Sequence, residues 1–124
     1  MNSSTESDNK ATVLTFEPGE TIFNEGDAAD YFFIVTKGEV ELLVAGRVVG
    51  TECEGGMFGE MALVSETVRS ATARAKVECT LDAIDHEAFL SLVKKSPEFA
   101  LHVMRVMTDR IRNYDSMLTK KGHL

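Results

Sequence analysis

The chain has 124 residues, 44% of them hydrophobic and 27% charged, with a formal net charge of −7. That makeup suits one ordinary globular domain that needs neither disulfides nor a metal to hold its core. The acidic balance argues against a nucleic-acid surface, which needs a basic patch, and no apolar run approaches the length of a membrane span. Residues 2–10 are polar and lack the apolar stretch of a signal peptide, so a cytoplasmic location is expected. Cys53 and Cys79 are too few and too far apart for a disulfide framework or a zinc knuckle, and the expectation is one loop thiol and one core thiol.

In chain order, residues 1–11 are rich in Ser, Thr, Asn, Asp and Glu and read as a disordered leader, with a domain over 12–118 and a flexible tail over 119–124. Short strands are predicted at 12–16, 20–23, 30–36, 39–45 and 47–52, broken by the turn signals Pro18-Gly19, Glu25-Gly26 and Lys37-Gly38. Val40, Leu42 and Val44 alternate with Glu39, Glu41 and Leu43, as in a half-buried strand. A short glycine-led helix is predicted at 59–64, then strands at 69–76 and 78–84, the second with Cys79, Leu81 and Ala83 on one face. Regular alternation from the start of the first of these strands would turn Arg69 inward with Ala71, Ala73 and Ala75. Many short strands at close spacing favour a β-barrel or a sandwich. Asp85 then reads as the N-cap of a helix over 86–94, and Ser96-Pro97-Glu98 as the start of another over 97–118. Phe99, Val103, Met104, Val106, Met107 and Ile111 form the apolar stripe of that last helix.

The chemistry concentrates between Gly55 and Ala73. A helix opening at Gly59 points unpaired N–H groups and the positive end of its dipole outward, and glycine permits close approach of an anion. Arg69 adds a planar fork for phosphate oxygens, and Glu60 can accept a hydrogen bond from a ribose hydroxyl. Plainer readings stand beside these: Arg69 in a salt bridge to Glu60 or another interior acid, Glu60 as a first-turn acid favoured by the dipole, and Gly55 and Gly56 as turn glycines. No Gly-x-x-x-x-Gly-Lys-Ser/Thr loop is present, so a nucleoside triphosphate is disfavoured. One arginine plus backbone donors suits a single negative charge. The histidines, His86, His102 and His123, lie in or after the C-terminal helices, away from where a metal-bearing β-barrel would need them. No nucleophile–base pair stands near Arg69, so no catalytic residue, metal ligand or cofactor is predicted.

Phe58-Gly59-Glu60-Met61-Ala62-Leu63 with Arg69-Ser70-Ala71 resembles the phosphate-binding cassette of cyclic nucleotide-binding domains. Asn24-Glu25-Gly26-Asp27 and Gly38-Glu39-Val40 fall where that family has its turn glycines. The resemblance implies a mainly β fold, a β-barrel or jelly-roll of about eight strands, with a short phosphate-binding helix and two C-terminal helices. It implies that Arg69 contacts the exocyclic phosphate oxygens and Glu60 the ribose 2′-hydroxyl. The N–H groups near Gly59, Met61, Ala62, Ser70 and Ala71 would complete the cradle. Val40, Leu42, Val49 and Phe58 are the choices for apolar lining, and Arg110 falls where related bacterial domains place a base-stacking arginine, the alternative being a solvated helix charge. Val68 stands where the family commonly has proline. The expected function is a non-catalytic sensor of a cyclic nucleotide, cyclic AMP ahead of cyclic GMP, that moves its C-terminal helices and signals to an effector protein on another chain. The alternatives are a structural or protein-interaction β-barrel domain that has lost ligand binding, or the ligand-binding part of a larger transcription factor, channel or kinase.

Overall fold

The computed structural model describes residues 12–60 and 68–120, with side chains described to residue 109. Eight strands form two four-stranded antiparallel sheets: β1 (Thr12–Phe16), β8 (Cys79–Asp85), β3 (Tyr31–Lys37) and β6 (Met57–Phe58) in one, and β2 (Thr21–Phe23), β7 (Thr72–Ala75), β4 (Val40–Val44) and β5 (Arg47–Glu52) in the other. The sheets keep free edges and make a jelly-roll sandwich that is not closed into a barrel. Apart from β6, each strand lies within three residues of where turn signals and alternation put it. β6 has two residues, too few to carry a period, and pairs Phe58 with Phe33 and Met57 with Ile34.

The core forms where the inner faces of the sheets meet. Phe33, Val35, Phe58, Cys79, Leu81 and Ala83 come from one sheet, and Val40, Leu42, Ala73 and Ala75 from the other. Alanines on β7 opposite aromatic rings let the layers interdigitate at close packing. The expected inward face of β8 holds, and Cys79 is the core thiol and Cys53 the exposed one, both free. Burial pushes the Cys79 thiol up from its ordinary pKa, with Glu20 adding to it. Leu43 is buried alongside Leu42, so β4 is covered on both faces there and departs from simple alternation.

Gly38 shows why one turn residue cannot change. Its φ is +95° and a Cβ there would stand 2.6 Å from the Cβ of Cys79, so a side chain would collide with the strand that carries the core thiol.

The chain divides into two units, one ending at Ser91 and the other beginning at Leu92. Helix α1 (His86–Lys95) starts where predicted, with the Ala88 N–H donating to Asp85 Oδ1 at 2.8 Å. Within the first unit, Phe89 meets Phe32 of β3 edge-on at 5.9 Å, and Ala88 is buried. Helix α2 (Pro97–Lys120) opens with the Phe99 N–H donating to the Ser96 carbonyl and carries Glu98 in its first turn. On its predicted stripe Val103 is buried, whereas Met104 is 58% exposed with Leu101 beside it at 53%. No described helix is long and apolar enough to cross a membrane. The expected leader and most of the short helix at 59–64 lie outside the described residues.

Candidate anion-binding site

Arg69 is set by its backbone before its side chain is considered. Its N–H donates to the Asp27 carbonyl and its carbonyl accepts from the Gly26 N–H, both at 2.8 Å, and Val68 bridges Ala28 next to it. The loop making these bonds is itself closed by Asn24 and Asp27: the Asp27 N–H donates to the Asn24 carbonyl, and the Asn24 N–H to Asp27 Oδ2. The Glu25 N–H donates to Thr72 Oγ1 at 3.0 Å, tying the loop to the start of β7. The motif Asn24-Glu25-Gly26-Asp27 is thus the brace that holds residue 69 in place. Arg69 thus spends its backbone N–H and carbonyl on this loop, and β7 begins only at Thr72. At Val68 the bridge to Ala28 supplies a restraint that a proline would have given through its ring.

The Arg69 side chain points inward, and the residue is 5% exposed. Nη2 donates to the Tyr31 carbonyl and Nη1 to the Gly59 carbonyl at 3.3 Å. The guanidinium carbon lies over the ring of Phe23, 4.0 Å from its centroid, and 5.7 Å from that of Phe33. Nε is buried and makes no hydrogen bond. Burial holds the guanidinium below its usual pKa, while the charges of Asp30 and Asp27 pull it back up; arginine stays charged under either influence. Among the described residues no carboxylate is bonded to this guanidinium. The described partners of the two Nη nitrogens are neutral carbonyls, Asp27 and Asp30 act through space, and the positive charge is retained.

Gly59 is the partner that makes room. Its φ is +83°, and a Cβ at that position would come to 2.7 Å from Arg69 Nη1. Left-handed backbone costs about 1–2 kcal/mol for any residue with a Cβ, and here that Cβ would also displace the guanidinium. The group that comes close to this glycine is the arginine. Gly55 and Gly56 are the turn glycines of the plainer reading: the Gly55 N–H donates to the Val35 carbonyl and the Gly56 carbonyl accepts from the Val35 N–H, which seats the turn against β3.

Gly59 and Arg69 are therefore in contact, with Phe58 and Glu60 flanking Gly59 in the chain. Glu60 is 1% exposed, buried like Arg69. Phe58 is wholly interior, its ring stacked on Phe33 at 5.2 Å. Ser70 is exposed and Ala71 half-buried. Val40 and Leu42 belong to the core, whereas Val49 is 39% exposed. Val49 is the extra residue of a bulge, since Leu42 pairs with Gly50 and Leu43 with Val48. Met61 and Ala62 lie outside the described residues, as does the side chain of Arg110 on α2. Among the described residues no group of three or more His, Cys, Asp or Glu could hold a metal ion.

Sequence reasoning missed Phe23 and Tyr31. Tyr31 acts through its carbonyl, which no side-chain pattern reveals. Phe23 is two residues from exposed Thr21 and would share its outward face in a regular strand. Thr21 pairs with Arg74 but Phe23 with Ala73, so Ile22 is an inserted bulge residue that turns Phe23 toward the core, against which it packs partly buried.

The family model for the cyclic nucleotide-binding domain matches residues 13–96. A cAMP-dependent protein kinase regulatory subunit of Eremothecium gossypii is 38% identical over 90 residues, covering 68% of this chain and 20% of its own length. Among solved structures, the catabolite activator protein of Thermus thermophilus superposes with a TM-score of 0.83 at 26% identity, over 98% of this chain and 60% of that one. The cAMP-bound PfPKA-R superposes with a TM-score of 0.72 at 28% identity, over 90% of this chain and 37% of that one. The chain thus spans a fifth of the kinase subunit that it resembles and three fifths of the activator protein.

Proposed function

Because this chain belongs to the cyclic nucleotide-binding domain family, we propose that its Arg69 corner holds the phosphate of a cyclic nucleotide monophosphate, cyclic AMP in preference to cyclic GMP. The binding serves a non-catalytic, cytoplasmic sensor that passes its signal to an effector on another chain through its C-terminal helices. The observation that carries this reading is the state of one side chain: a buried guanidinium that, among the described residues, is bonded to no carboxylate and leaves its Nε–H unbonded.

Each Nη nitrogen carries two hydrogens and spends one on a backbone carbonyl, so a side-on pair remains: Nε–H and the second N–H of Nη2. Two phosphate oxygens match that fork. A cyclic phosphodiester carries one negative charge, which one guanidinium balances, and placing an anion there relieves a buried donor that costs about 1–3 kcal/mol unmet. Glu60 accepts from the ribose 2′-hydroxyl, and the N–H groups of Gly59, Met61, Ala62, Ser70 and Ala71 supply the remaining donors. Val40, Leu42, Val49 and Phe58 form the apolar wall, and Arg110 stacks on the base. The preference for cyclic AMP is supported by the ligand in the names of two of the relatives. The ligand shifts the C-terminal helices only by its differential affinity for their two arrangements.

A thermal-shift series with cyclic AMP, cyclic GMP, AMP and ATP tests this. A ligand that binds the native form stabilises it by about 2.7 kcal/mol at a hundred times its Kd. Cyclic AMP should raise the melting temperature most and cyclic GMP less, with AMP and ATP leaving it unchanged. Equal shifts with AMP and ATP, or none with either cyclic nucleotide, would reject the reading.

A further inference from the structure

Among the residues around Arg69, Phe23 is the one whose placement is costly to build and whose contribution is not a hydrogen bond. The bulge at Ile22 interrupts the β2–β7 pairing and brings Phe23 opposite inward-facing Ala73. Packed against the core and partly buried, the ring is flanked by Phe33 at 5.8 Å and Phe58 at 5.9 Å, which fix its orientation. Its face then meets the guanidinium at 4.0 Å, closer than the 5.7 Å of Phe33.

We infer that Phe23 is a positioning residue for anion capture: its ring face fixes the Arg69 guanidinium so that the Nε–H edge stays free for an incoming phosphate. The inference rests on the reading that Arg69 takes the phosphate. A ring face attracts a cation through its quadrupole without consuming any N–H. A carboxylate in the same place would hold the arginine as firmly but would use the fork and cancel the charge. The two carbonyl bonds tether the Nη nitrogens, and the ring limits tilting of the plane about that tether. An arginine so held loses little further rotamer freedom when the ligand arrives, and less lost freedom means tighter binding.

The inference separates the ring from mere apolar bulk. Calorimetric titration with cyclic AMP should show Phe23→Leu and Phe23→Met, which fill the space without a π face, each binding at least fivefold more weakly than the parent. Phe23→Tyr, which keeps the face, should stay within twofold. Thermal melts of each unliganded variant identify those that are folded, and two non-aromatic substitutions keep the comparison available if one is unstable. In an Arg69→Lys background, Phe23→Leu should produce no further loss, because the group it positions has gone. Parental affinity in folded Phe23→Leu or Phe23→Met overturns the inference, as does the same fivefold loss when Arg69 is already lysine. Parental affinity in Arg69→Lys alone removes the phosphate reading beneath it, an outcome distinct from a tenfold loss in Arg69→Lys with none at Phe23.

Discussion

Two arginines five residues apart, Arg69 and Arg74, are held in opposite ways. Arg74 stands on β7 with its side chain 42% exposed, and its Nη2 meets Glu41 Oε1 on the neighbouring β4 at 3.1 Å. Arg69 lies just before that strand, 5% exposed, on carbonyl oxygens and an aromatic face. The first is a cross-strand ion pair at the surface. Its charge is already matched, and solvent screens what it adds to stability. The second has given up most of its water without, among the described residues, acquiring a bonded counter-charge, an expensive state for a protein to maintain. What separates the two is therefore the partner's charge: a guanidinium held by neutral groups keeps its charge available for a ligand.

The contrast predicts unequal responses. Arg69→Lys preserves the charge but loses the planar fork, so affinity for cyclic AMP should fall at least tenfold, about 1.4 kcal/mol, by calorimetric titration. An unchanged Kd would reject the phosphate role of Arg69. Arg74→Ala should be close to silent. Affinity should stay within twofold and stability in chemical denaturation should move by no more than about 1 kcal/mol, the upper range for an exposed pair. A large loss of affinity there would erase the distinction between the two sites.

Most of the frame was legible because it follows from local rules. Turn glycines and two-residue alternation located all the strands but one, and Asp85 and Ser96-Pro97-Glu98 located the helix starts. The burial of Arg69 was also expected from its parity with Ala73 and Ala75, yet the actual cause lies elsewhere: it precedes β7 and is oriented by the Gly26–Asp27 loop. Its partners were harder to read. A bulge such as that at Ile22 inverts every later parity in its strand and leaves no mark in composition. The same holds at Val49, whose bulge leaves it 39% exposed. Carbonyl acceptors such as those of Tyr31 and Gly59 belong to the backbone, so only coordinates can assign them. The glycine at 59 was readable as a place of close approach, though sequence could not tell that the approaching group would be Arg69 itself.

The central claim concerns one N–H, and arginine side-chain nitrogen–proton correlation spectra report on it directly. On titration with cyclic AMP, the Nε–Hε resonance of Arg69 should move as an unbonded donor gains a phosphate acceptor, while that of Arg74 stays in place. A saturated complex in which the Arg69 resonance has not moved would contradict the account.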